Sequence, residues 1–143
     1  RQSVLLNLTR IYSEEDFYSA FCEKIGLQPC YGRELDKALN QKRLLLVLDE
    51  VERISQEEFT RRVREQLRGL AEDQDAPLKL VVAARTSLER LFPDGYDEGM
   101  VSPLEGIAWK KTCNRGRPKR FNSLLKLVWP KRPFGLPMPK LPN

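Results

Sequence analysis

The sequence contains no histidine, and that absence removes several kinds of chemistry. A Ser-His-Asp or Cys-His nucleophile cannot be assembled, and no zinc site with an imidazole ligand can form. Cysteine is scarce as well. Cys22, Cys30 and Cys113 are odd in number and fall in no CxxC spacing, so neither a disulfide framework nor a metal knuckle is implied. They are expected to be reduced thiols in a cytoplasmic protein. No apolar run approaches the roughly 18 residues of a membrane span and no signal peptide opens the chain, so no membrane contact is expected. The first residue is Arg1 rather than Met, which leads us to expect a piece of something longer.

A further absence is local. Residues 1–107 hold 15 Lys+Arg and all 20 Asp+Glu, a net charge of −5. Residues 108–143 hold 10 Lys+Arg and no acid, a net of +10, together with six of the ten prolines. The overall +5 over 143 residues is therefore a sum of two unlike sequences joined near Ile107.

The acidic portion reads as alternating strands and helices. Val4–Leu8 is a short apolar run and an expected buried strand. Ser13 is placed as an N-cap, with Glu14, Glu15 and Asp16 in the first turn, where the helix dipole favours negative charge. Phe17, Phe21 and Ile25 recur every four residues, and Gly26 is placed as the stop. A shorter helix is expected over Gly32–Leu39. Leu44–Leu48 is the most hydrophobic segment, and its lack of alternation predicts a strand covered on both faces, as in a parallel sheet. Ser55 and Glu58 have capping-box spacing ahead of Phe59, Val63, Leu67 and Leu70, with Glu57/Arg61 and Glu58/Arg62 as i,i+4 pairs. Leu78–Ala84 is a third buried strand. Thr86 and Glu89 repeat the capping-box spacing for a short helix, and Pro93-Asp94-Gly95 is a turn. This order predicts an α/β layer with parallel strands and right-handed crossovers.

The strand Leu44–Leu48 ends in Asp49-Glu50, and four or more apolar residues followed by Asp-Glu is the Walker B pattern. A buried parallel strand delivers its last carboxylates to the crevice at the sheet's carboxyl edge, where ligands bind in open α/β sheets. The first can hold Mg²⁺, usually through water, and the second can orient or deprotonate an attacking water. An acidic residue after an apolar strand is also an ordinary strand-to-loop transition, so the pattern needs context. The next strand, ending in Arg85-Thr86, supplies some.

The stretch LLLVLDEVERI, the helix ending LRGLAE, and then KLVVAARTSLERLFPDG and SPLEGI resemble the AAA-like P-loop ATPase domains of STAND-type bacterial signalling proteins. The resemblance covers roughly residues 1–107. It implies a partial P-loop NTPase-like, three-layer α/β fold with a short parallel sheet of about three strands. It implies ATP and Mg²⁺ as cofactors, Asp49 as the Mg²⁺ carboxylate, Glu50 as the catalytic, water-activating residue, and Arg85 or Thr86 at the γ-phosphate sensor position. Ser102-Pro103-Leu104 follows the sensor strand, as it does in these domains. Such domains need G-x-x-x-x-G-K-[ST], whose backbone amides and lysine hold the phosphates. None of the eight glycines is followed by lysine. The chain is therefore expected to begin just after the phosphate loop, and ATP hydrolysis by this chain alone is not expected. The missing strand of the family would pair beside Leu78–Ala84. Its loss would leave a hydrophobic sheet edge open to self-association or pairing with another chain.

The tail over 108–143 interleaves Lys110-Lys111, Arg115, Arg117 and Lys119-Arg120 with Trp109, Phe121, Trp129 and Phe134. Cations over residues 109–120 can meet phosphates while aromatics stack on bases, and Arg115-Gly116-Arg117-Pro118 looks like the core of an AT-hook. Phe121–Trp129 has the pattern of a short amphipathic helix stopped by Pro130, and the later prolines favour extended chain. Three readings stand side by side: a disordered solvated tail, a shifted reading frame, and a nucleic-acid contact. The chain as a whole thus reads as part of an AAA-like ATPase. The alternative is a non-catalytic interaction module whose basic tail binds nucleic acid or an acidic partner. The first requires a GxxxxGK[ST] segment immediately upstream; the second requires DNA affinity that falls steeply with salt.

Overall fold

Leucine and valine dominate three short segments, and each becomes a strand of one parallel sheet. The structure, a computed structural model, describes residues 2–93, 104 and 107–109. Along the chain run β1 (Gln2–Asn7), α1 (Glu14–Lys24), α2 (Gly32–Leu39), β2 (Leu44–Asp49), α3 (Arg61–Ala71), β3 (Leu78–Val82), α4 (Leu88–Leu91) and β4 (Ala108–Trp109). The α/β character expected from the sequence is present. The strands lie in the order β1-β2-β3-β4, all neighbours parallel.

Register sorts the side chains into two faces. Val4, Leu46 and Leu80 stand abreast, as do Leu6, Leu48 and Val82, and all are buried in the main core. Phe17 and Phe21 of α1, Leu35 and Leu39 of α2, and Val63, Leu67 and Leu70 of α3 pack in that same cluster. The sheet advances one strand at a time in one direction, and right-handed crossovers then put every intervening helix on one face. Among the described residues the helices form one layer, so the expected third layer is not seen there. The opposite face carries a small separate cluster, Leu45, Val47 and Val81, with Leu5 46% exposed beside it.

Local chemistry explains the ends of α1. The Ser13 hydroxyl accepts from the Asp16 amide at 3.2 Å, and three acids occupy the first turn, as expected. At the other end Gly26 takes φ 73°, its amide donates to the Glu23 carbonyl, and the Leu27 amide reaches back to Cys22 at 2.9 Å. That is a Schellman closure, and glycine enters its left-handed region without a Cβ penalty.

Two expected caps are corrected. The helix expected behind Ser55 begins instead at Arg61, because a 3-10 turn occupies Val51–Ser55 and the Ser55 hydroxyl donates to the Glu52 carbonyl. Its N-terminus is capped from elsewhere: both the amide and the hydroxyl of Thr60 donate to a Glu14 carboxylate oxygen on α1, at 3.0 and 2.8 Å. Glu57 and Glu58 precede the helix, and α3 carries the i,i+4 pairs Arg61–Glu65 and Arg68–Glu72. The short helix after β3 is capped at Ser87 rather than Thr86, and without a side-chain hydrogen bond.

The third strand ends at Val82, two residues short of the expected Ala84. Its outer edge is not wholly open. Leu80 and Val81 pair in parallel with Ala108 and Trp109, at the position the resemblance assigns to the missing strand. This changes the expected open edge to one partly occupied by the first two residues of the basic segment. The turn expected at Asp94-Gly95, Ser102-Pro103, and the expectations for residues 110–143 lie outside the described residues. Among the described residues no helix is long and apolar enough to cross a membrane.

Two glycines predict opposite signs. A Cβ at exposed Gly69 in α3 meets nothing within 4 Å, so Gly69→Ala is expected to stabilise by about 0.5–1 kcal/mol through helix propensity. Gly26 also has open space, yet its positive φ makes Gly26→Ala cost about 1–2 kcal/mol. Urea denaturation of the two variants reads both signs.

Burial, reinforced by the Glu14 and Asp36 carboxylates, pushes the Tyr18 hydroxyl well above the usual tyrosine range. The folded state therefore favours the neutral phenol. That contribution is fully present below about pH 10, the ordinary tyrosine pKa, and is lost as pH rises further. Stability measured by urea denaturation is expected to fall more steeply above about pH 10 in the native sequence than in Tyr18→Phe.

Candidate functional site

The carboxyl edge of the sheet brings together the last residues of β2 and the residues just past β3. Asp49 closes β2 opposite Asn7 of β1, and both Asp49 and Glu50 are half-buried. Glu50 then takes φ 57° and ψ 49°, the one non-glycine residue with positive φ among those described. A left-handed glutamate is disfavoured by roughly 1–2 kcal/mol, so its surroundings must hold it.

Several bonds do so. The Glu50 amide donates to Asp49 Oδ1 at 2.9 Å. The Val51 amide donates to the Ala83 carbonyl at 3.2 Å, and the Ala83 amide to the Leu48 carbonyl at 2.8 Å. Beyond the strands, Arg85 Nη2 donates to Glu50 Oε1 at 2.7 Å, and the Arg85 amide donates to Glu52 Oε1. Arg53, in the following 3-10 turn, ties the region to the segment between β1 and α1 by donating from Nε to the Ile11 carbonyl at 2.8 Å. Its guanidinium lies 5.4 Å from the Tyr12 ring centroid.

Three of the four residues singled out in the sequence therefore meet: Asp49, Glu50 and Arg85. Thr86 lies in the exposed bend after Arg85 and forms none of these contacts. Glu52 was not singled out, yet it receives the Arg85 amide, and its other carboxylate oxygen is buried with no hydrogen-bond partner among the described residues. The available signal was a third acid within four residues of a strand end. What redirects it toward β3 is the left-handed turn at Glu50, which no residue-type preference announces.

The electrostatics are those of a solvated ion pair. The hydrogen bond to Glu50, then its charge, and more weakly Glu52 and Asp49, raise the Arg85 guanidinium above its ordinary pKa. With the Arg85 side chain 80% exposed and that of Glu50 33% exposed, water screens much of the attraction.

Whether these residues suit Mg²⁺ and ATP can be tested on the same geometry. Among the described residues, no three Cys, Asp or Glu side chains converge as a metal-holding group. Glu50 already directs one oxygen to Arg85. No glycine of the sequence leads into the lysine that a phosphate loop requires. The residues described do not by themselves fit a magnesium-nucleotide complex. Two clefts among the described residues lie elsewhere, between α1, α2 and α3: one of about 660 Å³ and one of about 810 Å³, neither lined by Asp49, Glu50 or Arg85. Compared with known proteins, the chain matches no family model, no curated protein and no solved structure.

Asp49 is half-buried and accepts one hydrogen bond, from its neighbour, so Asp49→Ala is expected to cost only about 1 kcal/mol. Arg85→Ala is expected to leave the thermal midpoint unchanged. A loss of about 3 kcal/mol or more in Asp49→Ala, measured by urea denaturation, would mark Asp49 as a structural group instead.

Proposed function

We propose that the chain carries the Walker B and sensor strands of an AAA-like P-loop ATPase of the STAND type, and does not turn over ATP without a phosphate loop supplied from outside these 143 residues. The observation that carries this reading is the juxtaposition at the sheet's carboxyl edge. The buried central strand β2 ends in Asp49-Glu50, its parallel neighbour β3 leads into Arg85, and Arg85 reaches Glu50 at 2.7 Å. Ligands of open parallel sheets bind at that edge.

In this reading Asp49 would be the carboxylate offered to a cation and Glu50 the carboxylate offered to a water, were the missing phosphate-binding half present. Arg85 serves as the charged sensor at the neighbouring strand end. Each role depends on phosphates that this chain does not hold by itself.

The test begins with the nucleotide sequence upstream of Arg1, read in all three frames. A GxxxxGK[ST] segment is expected there. A protein including that segment is expected to hydrolyse ATP, and Glu50→Gln in it to lower the turnover about 10²–10⁴-fold while nucleotide still binds. An upstream region without such a segment, or full activity in Glu50→Gln, would overturn the reading.

A further inference from the structure

Cys22 and Cys30 come together where α1 turns toward α2. Their Sγ atoms lie 3.9 Å apart, and the Cys22 thiol donates to the Cys30 carbonyl oxygen at 3.5 Å. Both are free thiols. Their surroundings differ. Cys22 is fully buried in the core on the inner side of α1. Cys30 is half-buried and lines the cleft of about 660 Å³ with Pro29 and Tyr31. One sulfur can therefore meet a small reagent from solvent, and the other is shielded from it.

The backbone between them can accommodate a bond. A disulfide has its sulfurs about 2.05 Å apart, so the pair must close by about 1.9 Å from the observed 3.9 Å. The segment that carries Cys30 is bounded by two glycines at positive φ, Gly26 at 73° and Gly32 at 58°. Gly32 is held to α3 by Gln66, which accepts from its amide and donates to its carbonyl, so the far end of the segment stays fixed while Cys30 adjusts.

We propose that Cys22 and Cys30 form a redox modification site, in which a peroxide oxidises Cys30 and Cys22 completes an intrachain disulfide. In the first step the Cys30 thiolate sulfur attacks one oxygen of hydrogen peroxide. The O–O bond breaks, a sulfenic acid forms, and the other oxygen leaves as hydroxide and becomes water. In the second step the Cys22 sulfur attacks the Cys30 sulfur, the S–O bond breaks, and the hydroxyl departs as a second water with the Cys22 proton. The two thiols give up two electrons, and hydrogen peroxide takes them. The Cys30 thiol is raised above its usual range by burial first, then by its hydrogen bond with Cys22 and the nearby Cys22 and Glu34. The thiolate is therefore sparse at neutral pH, and oxidation is best run on the alkaline side of neutrality.

The experiment uses the full chain, native and with Cys113→Ser, treated with excess hydrogen peroxide, blocked with iodoacetamide and digested with trypsin. Trypsin cuts after Lys24, between the two cysteines, and so separates the peptides 11–24 and 25–33. The expected product is a monomer lighter by two hydrogens, those two peptides joined, and full reversal by dithiothreitol. Cys30→Ser removes the link while keeping the thermal midpoint of the reduced protein. Sulfinic acid at Cys30 with Cys22 still alkylated, a disulfide to Cys113, disulfide-linked dimers, or unreacted thiols would each overturn the proposal. Should Cys113→Ser fail to fold, the peptide map of the native chain decides alone: a link between Cys22 and Cys30 supports it, and any link to Cys113 overturns it.

Discussion

Five consecutive buried residues, Leu44–Leu48, fix the placement of everything else. They pair with β1 on one side and β3 on the other, and they present side chains to both faces of the sheet. Fully burying a leucine or valine side chain contributes about 1.5–3 kcal/mol, so this one strand supplies a large part of the driving force for collapse. Its register also leaves little freedom. A slip of one residue would turn Leu44, Leu46 and Leu48 from the helical core to the opposite face and misalign the three-strand rows that α1, α2 and α3 cover.

The same register determines what happens at the carboxyl edge. Asp49 emerges level with Asn7, and Glu50 bends into a left-handed turn that aims Val51 at Ala83 and leaves Glu52 facing the Arg85 amide. Cross-strand bonds thus continue past the last paired residues of β2 and β3, and they hold a backbone conformation that glutamate alone would avoid. The outcome is a cluster of three acids and one arginine with no phosphate cradle beside it among the described residues. As it stands, its Arg85–Glu50 contact is a solvent-screened ion pair between two strand ends. With phosphates present, the same residues would have an anion for Arg85 and a cation for Asp49 to face.

Much of the fold was legible because its signals are local. The non-alternating run at Leu44–Leu48 declared a strand buried on both faces, Ser13 declared a cap, and Gly26 declared a stop, since each effect is decided within four residues of the position concerned. What could not be read depends on distant groups. At the start of α3 the Thr60 amide donates to Glu14, 46 residues away, and Ser55 makes no cap of the kind spacing suggested. The pairing of Ala108–Trp109 with β3 was hidden for a related reason: a two-residue strand has no periodicity to detect. At the site, the apolar run marked Asp49 and Glu50, and the next strand marked Arg85. Glu52 escaped because its part depends on the turn at Glu50, a conformation rather than a residue preference. The approach of Cys22 to Cys30 escaped too, since eight residues' separation across a glycine stop encodes no distance.

The central proposal is that the Asp49, Glu50 and Arg85 edge belongs to a nucleotide site lacking its phosphate-binding half. Calorimetric titration of the 143-residue chain with ATP and Mg²⁺ addresses it most directly. The account predicts no saturable heat up to millimolar nucleotide, in the native chain and in Asp49→Ala alike. Saturable one-to-one binding at micromolar concentrations, lost in Asp49→Ala, would contradict it by showing that these residues hold the nucleotide without a phosphate loop.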